Sequence, residues 1–189
     1  MAYKVIVIGV SAGGLNAIKI IFSILPKNFK IPMIIVQHMS ANSNSAWIDI
    51  LNKKSFLYLK EADEKEKIRS GHVYFAPPNY HLLIEKNHTF SFTIDERVNF
   101  SRPSIDVLFE SAVDVYHEKI IGIILTGANK DGTAGLKKIK EAGGLTIVQD
   151  PNDAEVPYMP EFAITIVPDY IMTLKEMTEF LVELNKKNK

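Results

Sequence analysis

The stretch Lys4-Val-Ile-Val-Ile-Gly-Val-Ser-Ala-Gly-Gly14 decides the fold of this chain. Its unbroken apolar run is typical of a strand buried on both faces, so residues 4–9 predict a strand of a parallel sheet that is covered on both faces. The closing glycine pair opens an amphipathic helix, because apolar residues recur on one helical face from Leu15 to Leu25 until Pro26 ends it. A buried strand that leads directly into such a helix indicates an α/β protein.

The same alternation of apolar runs and amphipathic stretches continues along the chain. It predicts further strands at residues 33–36, 56–59, 72–76, 120–125 and 145–148, and helices at residues 45–51, from Pro103 onward, at 132–142 and at 174–184. Residues 80–85 and 88–95 predict an antiparallel hairpin. We therefore expect a doubly wound, three-layer α/β/α fold with a mostly parallel sheet.

Length and composition exclude several kinds of protein. A chain of 189 residues predicts a single domain over residues 1–189, with a frayed tail at residues 185–189. Twenty-two basic residues balance 22 acidic ones, which argues against binding to nucleic acid or to a membrane surface. The chain has no cysteine, which excludes a disulfide framework, a thiolate nucleophile and a cysteine-ligated metal. With no signal or membrane-spanning pattern, we expect a cytoplasmic protein.

Three residues with the chemistry of a serine hydrolase follow three of the predicted strands. Ser11 comes after the first strand, His38 after the second and Asp131 after the strand at 120–125. The carboxyl ends of parallel strands meet at one edge of a sheet, which can bring a hydroxyl, a base and a carboxylate together. Residues 9–13 also match the G-x-S-x-G pattern that exposes a nucleophilic serine on a sharp strand-to-helix turn.

Each of these three residues could instead have an ordinary structural role, and the glycine-rich turn could instead bind a nucleotide. Serine and aspartate often cap helices or stabilise turns, and a histidine after a strand is often structural. A strand, a glycine-rich turn and a helix also resemble the start of a nucleotide-binding Rossmann domain. Here Ser11 replaces the second glycine of that pattern, and Gln37-His38 replaces the expected acid. The remaining histidines lack metal-ligand spacing, so we expect no metal site.

Blocks along nearly the whole chain resemble the catalytic domain of CheB-type protein-glutamate methylesterases. Three of them carry the candidate residues: Ile8-Gly-Val-Ser-Ala-Gly-Gly14, Val36-Gln-His-Met39, and Leu125-Thr-Gly127 with Asp131-Gly132 and Gly135. Further blocks are Gly71-His-Val-Tyr-Phe-Ala-Pro77, Ser101-Arg-Pro-Ser-Ile-Asp-Val-Leu108 and Gly144-Leu-Thr-Ile-Val-Gln-Asp150. Their order and spacing make the resemblance specific.

This resemblance implies an enzyme that hydrolyses γ-methyl esters of glutamate on the cytoplasmic helices of methyl-accepting chemoreceptors and releases methanol. Many members of the family also deamidate receptor glutamines. The resemblance assigns Ser11 as nucleophile, His38 as general base and then acid, and Asp131 as the orienting carboxylate. It makes the backbone N–H groups near Ala12 and Ala128 candidates for the oxyanion hole. It implies no cofactor.

The chain departs from the family pattern at two positions and in its amino terminus. Ala12 stands where many members have serine or threonine, and Ala128 stands where chemotaxis enzymes often have methionine. Because the first strand begins at Lys4, we expect no attached amino-terminal receiver domain. Two alternatives to an esterase remain open: a Rossmann-like nucleotide-binding domain and a catalytically silent receptor-binding module.

Overall fold

The structure, a computed structural model, describes residues 2–40, 43 and 45–188. In these residues the strands are β1 (Val5–Val10), β2 (Met33–Gln37), β3 (Tyr58–Glu61), β4 (His72–Phe75), β5 (His81–Ile84), β6 (Phe90–Thr93), β7 (Ile120–Ile124), β8 (Leu145–Gln149) and β9 (Tyr170–Met172). The α-helices are α1 (Gly14–Ile24), α2 (Ala46–Asn52), α3 (Ile105–Tyr116), α4 (Thr133–Glu141), α5 (Tyr158–Ile164) and α6 (Leu174–Lys187).

The main sheet is parallel, and the order in which the chain adds its strands reverses at the centre. Its strand order is β3-β4-β2-β1-β7-β8-β9, so β1 lies between β2 on one side and β7 on the other. The chain first builds outward from β1 to β3 and then returns to β7 on the opposite side. In sheets of this kind, ligands bind beyond the carboxyl ends of the strands where the order reverses. The predicted fold class is confirmed, and Ser11 lies at this switch point.

Alternating residues of the central strands face two separate apolar layers. Ile6, Ile8 and Val10 of β1 pack with α1, α2 and α6. Val5 and Val7 of the same strand pack with α3, α4, α5 and the hairpin. Burial on both faces explains why β1 is apolar throughout, as a strand between two helical layers must be. None of the described helices is both long enough and apolar enough to cross a membrane.

The predicted hairpin is present, and it forms a sheet of its own. β5 and β6 pair antiparallel and lie outside the seven-stranded sheet. Leu82 and Phe90 of this hairpin join the same apolar layer as Phe109 of α3, so the hairpin covers that helix.

The second half of the chain contains elements that the sequence pattern did not predict. The short elements α5 and β9 were missed. The last helix, α6, continues to Lys187, into the segment at residues 185–189 that was predicted to be a frayed tail. The side chain of Asn185 accepts a hydrogen bond from the Lys30 N–H at 2.9 Å, and Asn188 donates to the Tyr3 carbonyl at 2.8 Å. These two contacts hold the last helical turn against the body of the protein, and Lys189 lies outside the described residues.

Close packing between β1 and α3 fixes the helix whose first turn borders the candidate site. A Cβ placed on Gly9 would lie 2.3 Å from Cγ2 and 2.9 Å from Cδ1 of Ile105. Since both residues are in the core, no space exists into which Ile105 could withdraw without moving α3.

We predict that Gly9→Ala lowers the free energy of unfolding by about 1–3 kcal/mol, because an added methyl group overpacks this contact. Ile105→Ala alone creates a cavity and costs about 2–5 kcal/mol. The free energy of unfolding of the double variant should fall by less than the sum of the two single decreases, because the new methyl group occupies part of that cavity. Urea unfolding of the four proteins measures this, and additive losses would contradict the predicted contact.

Candidate active site

Ser11 lies immediately after the central strand, between the ends of its two neighbours. Its N–H donates to the Thr126 carbonyl at 3.0 Å, and its own carbonyl accepts from Gln37 Nε2 at 3.0 Å. The turn that follows requires a left-handed residue, which Gly13 supplies with φ +78°. A Cβ at Gly13 would lie 2.9 Å from Thr126 Oγ1, so the loops approach too closely for a larger residue. The backbone around Ser11 is therefore fixed from both sides.

The pairing of β1 with β2 places His38 beside Ser11. Val10 pairs with Gln37 in parallel register, and the His38 N–H donates to the Val10 carbonyl at 3.0 Å. Ser11 and His38 are therefore consecutive neighbours on adjacent strand ends, and both line one cleft. Because adjacent strands lie about 4.8 Å apart, this register places the two side chains next to each other at the same edge of the sheet.

His38 is hydrogen-bonded to the third predicted residue. The ring Nε2 lies 2.9 Å from Asp131 Oδ2, and the side chains are 11% and 0% exposed. Asp131 lies in the loop between β7 and α4, so this single contact joins the loops that follow β2 and β7. The three predicted residues therefore converge at one edge of the sheet.

The first turn of α3 surrounds the Asp131 carboxylate with donors. Asp131 accepts hydrogen bonds from the Ser104 hydroxyl at 2.8 Å and the Ile105 N–H at 2.7 Å, and from the Asn99 amide at 3.2 Å. Burial alone would raise the pKa of Asp131, but the hydrogen bonds from His38, Ile105 and Ser104 hold that pKa below its ordinary value. The positive end of the α3 dipole acts in the same direction. The carboxylate is therefore ionised and fixed in orientation.

The second ring nitrogen of His38 contacts a residue that the sequence did not identify. Asn129 Nδ2 lies 3.1 Å from His38 Nδ1, and Asn129 Oδ1 accepts from the Asp131 N–H at 3.1 Å. In the tautomer that donates from Nε2 to Asp131, Nδ1 carries the lone pair and accepts from Asn129. Within the described residues, no hydrogen bond joins the Ser11 hydroxyl to His38. Catalytic hydrogen bonds are often longer or absent before substrate binds.

Two backbone N–H groups near Ser11 are free to bind an oxyanion. In the part of the chain that the structure describes, the N–H groups of Ala12 and Ala128 donate to no protein acceptor. Both residues are exposed at the same edge of the sheet. Ala12 also lies just before α1, whose amino terminus favours negative charge. Both N–H groups therefore remain candidates for the oxyanion hole.

A second buried carboxyl group lies beside Asp131. Asp106 accepts hydrogen bonds from the Gly135 N–H at 2.7 Å and from Asn99 Nδ2 at 2.9 Å. Burial, together with the negative charge of Asp131, raises the pKa of Asp106 to about 6. Asn99 thus bridges the two carboxyl groups. Asn99, Ser104 and Asp106 were not predicted as site residues, although the last two stand in the Ser101–Leu108 block.

The edge of the sheet that carries Ser11 and His38 has two clefts, and His38 lines both of them. One, of about 450 Å³, is lined by Ser11, Leu15 and Glu155 as well as His38. The other, of about 150 Å³, lies between His38 and Phe100. A larger cavity of about 660 Å³ lies at the opposite edge of the sheet and contains none of the three predicted residues.

Two other histidines of the middle segment, His72 and His81, have structural hydrogen bonds. His81 Nε2 contacts the Glu96 carbonyl at 3.0 Å, and its Nδ1 accepts from the Ser104 N–H at 3.2 Å. His72 Nδ1 contacts the Ser70 carbonyl at 3.0 Å. Among the described residues, no group of three or more histidine, aspartate and glutamate side chains is arranged to hold a metal ion.

Comparison with known proteins gives the same family throughout. The family model described as CheB methylesterase matches residues 6–181. A protein of Leptospira interrogans serovar copenhageni is 59% identical over 189 residues, covering 100% of this chain and 98% of that protein. The protein-glutamate methylesterase/protein-glutamine glutaminase of Thermotoga maritima is 37% identical over 96% of this chain, and the chain spans 54% of it. The crystal structure of the Thermotoga maritima CheB methylesterase catalytic domain matches with a TM-score of 0.93 at 35% identity, over 97% of this chain and 100% of that one.

We predict that the two neighbouring carboxyl groups titrate far apart. The pKa of Asp106 is about 6 in the folded state against an ordinary value of 3.8, so the folded protein binds this proton more tightly than the unfolded chain. The contribution of Asp106 to stability therefore falls as pH rises from about 4 to about 6, by roughly 3 kcal/mol. Carbon-detected NMR of the carboxyl groups, with Asp106→Asn to assign the signal, checks this. A midpoint near 4 for Asp106 would contradict the proposed burial and repulsion.

Proposed function

Because the chain belongs to the CheB methylesterase family, we propose that Ser11, His38 and Asp131 are the catalytic triad of a protein-glutamate methylesterase. The matched region contains all three residues. The observation that carries the proposal is the buried His38–Asp131 hydrogen bond beside Ser11, at the switch point of the sheet. The substrates proposed are γ-glutamyl methyl esters on the cytoplasmic helices of chemoreceptors.

The first half-reaction transfers the glutamyl group to Ser11. As Ser11 Oγ attacks the ester carbonyl carbon, its proton passes to the lone pair on His38 Nδ1. Asp131 keeps the proton of Nε2 in place and stabilises the imidazolium that forms. The C–O bond to the methoxy group then breaks, and the imidazolium donates its proton to the leaving oxygen. Methanol departs, leaving an ester between the glutamyl carbonyl and Ser11.

The second half-reaction repeats these steps with water. His38 accepts a proton from a water molecule as the water oxygen attacks the acyl carbon. It then returns that proton to Ser11 Oγ as the bond between the acyl carbon and Oγ breaks. The products are a free glutamate side chain and the regenerated enzyme. An amide substrate follows the same course with ammonia as the leaving group, so deamidation of receptor glutamines needs no further residue.

Two neighbours of the triad have proposed supporting roles. Asn129 contacts the nitrogen that must accept the Ser11 proton, so its amide has to leave Nδ1 before the transfer. The N–H groups of Ala12 and Ala128 are proposed to bind the oxyanion of both tetrahedral intermediates. Both donors belong to the backbone, so neither requires the side chains that the family often has at these positions.

Nucleotide binding is less well supported by the same loop. A pyrophosphate would have to lie against the Ser11–Gly14 turn, as in Rossmann domains. In this chain the Glu155 side chain borders that cleft, and its Cβ would lie 2.8 Å from a Cβ at Gly13. A carboxylate at this position repels phosphate, whereas a neutral ester is unaffected. Neither NAD nor ATP is therefore expected to raise the melting temperature.

We predict that Ser11→Ala and His38→Ala each lower methanol release from methylated receptor by roughly four to six decades, because triad members act as a unit. Asp131→Asn should lower it by about four decades, since an amide favours the wrong tautomer of His38. Ser23→Ala is the matched control, because Ser23 is an exposed serine on α1 that hydrogen-bonds only within its helix.

A small alkyl fluorophosphonate provides a second measurement of the same proposal. It should form a covalent adduct on Ser11 alone, and mass spectrometry of a digest locates the adduct. Equal methanol release by wild type and Ser11→Ala would exclude Ser11 from the reaction. Receptor binding without hydrolysis by the wild type would instead indicate a silent binding module.

A further inference from the structure

A tight turn beside His38 presents a fully exposed aromatic ring. Val98 and Ser101 pair through two backbone hydrogen bonds of 3.2 and 2.9 Å, which closes a two-residue turn. The two central residues, Asn99 and Phe100, are left-handed, with φ +50° and +64°. The Phe100 side chain is 95% exposed. We refer to residues 98–101 as the Phe100 turn.

The Phe100 turn is held in place by polar contacts beneath it rather than by its aromatic ring. The Asn99 amide donates to both Asp131 and Asp106, at 3.2 and 2.9 Å. Next to the turn, the Arg102 guanidinium donates to the Ile94 and Asp95 carbonyls at 2.6 and 3.0 Å. The turn is therefore fixed to the candidate catalytic carboxylate, while the ring contributes nothing to its position.

The choice of phenylalanine here works against local folding preference. A turn of this kind favours asparagine and glycine at its two centres, and Asn99 satisfies the first position. Phe100 places a bulky residue in a conformation that costs free energy, and leaves a large apolar ring in water. Since the fold gains from neither feature, the ring is explained by a partner that covers it.

The position of the ring indicates what that partner is. Phe100 and His38 line one cleft, and His38 also lines the cleft that contains Ser11 and Leu15. The two clefts therefore adjoin at His38, with Leu15 lining one and Phe100 lining the other, and we refer to the two together as the path. An α-helix is about 10–12 Å wide with its side chains, so a helix that inserts a glutamyl ester at His38 must also cover the rim of the path.

The charge beside Phe100 agrees with such a partner. Arg97 lines the same cleft and is exposed. Within the described residues it has no ion-pair partner. Unmodified glutamates beside the ester would be attracted by this guanidinium and repelled by Glu155, which lines the Ser11 cleft, so the acidic part of the substrate helix should lie over Phe100.

We propose that Phe100 is the anchor on which the substrate helix docks. An apolar side chain one or two turns from the glutamyl ester packs against the ring, as amphipathic helices do in hydrophobic grooves. Neighbouring carboxylates of the helix then face Arg97. This inference rests on the proposed function, and Phe100 acts on substrate binding and not on the chemistry of Ser11.

The test compares a receptor substrate with a small probe. We expect Phe100→Ala to lower kcat/KM for methanol release from methylated receptor in membrane vesicles by about 10- to 100-fold, mainly through KM, as loss of a buried aromatic anchor does. Labelling of Ser11 by a small alkyl fluorophosphonate should stay within about twofold of wild type, because the probe carries no helix. Phe100→Tyr, which keeps the ring, should restore receptor turnover.

The matched control is Phe56→Ala. Phe56 is 67% exposed and lies just before β3, at the amino ends of the strands and therefore away from His38. Its loss should change neither measurement. Receptor kinetics of Phe100→Ala equal to wild type would overturn the inference. A parallel loss of receptor turnover and Ser11 labelling would also overturn it, by indicating an effect on the triad.

Two further outcomes are distinguishable from these. If sedimentation finds a wild-type dimer that Phe100→Ala converts to a monomer with unchanged receptor kinetics, a second copy of the chain covers the ring and the inference is wrong. If wild-type Ser11 is labelled but no methanol is released from methylated receptor, the proposed substrate fails and the docking inference fails with it.

Discussion

The hydrogen bond between His38 Nε2 and Asp131 Oδ2 is the contact on which the proposed chemistry depends. It exists because a carboxylate with no solvent exposure is stabilised by donors from the first turn of α3 and from Asn99. Such a group would otherwise be neutral, since burial disfavours charge. Its neighbour Asp106, with fewer donors, has its pKa raised to about 6. The two buried carboxyl groups therefore have different pKa values, because the protein gives Asp131 more hydrogen-bond donors than Asp106.

The sheet supplies everything else that the three residues need in order to meet. Ser11, His38 and Asp131 follow β1, β2 and β7, which are neighbours in space although they are distant along the chain. Parallel pairing aligns the ends of these strands. That consequence of topology could be predicted from sequence, because each of three strongly apolar runs is followed by a loop with a polar residue suited to hydrolysis. The same patterns predicted the helices whose apolar faces cover the sheet.

The polar network around the proposed triad could not be predicted in the same way. Asn129, Asn99 and Ser104 lie in loops where side-chain direction is set by tertiary contacts and leaves no periodic signal. The short elements α5 and β9 were missed for a related reason, since elements of this length carry too little pattern. Only their packing in the folded protein stabilises them. The exposed ring of Phe100 likewise becomes informative only when its turn and its place beside His38 are known.

Nitrogen-15 NMR of histidine-labelled protein tests the central claim most directly, with His38→Gln used to assign the signals. The account predicts that neutral His38 carries its proton on Nε2, held by Asp131, and that Nδ1 is unprotonated and carries the lone pair that accepts from Asn129. Replacing Asp131 by asparagine should weaken this preference. A proton on Nδ1 in the wild-type protein would contradict the account, because the nitrogen proposed to accept the Ser11 proton could then not act as a base.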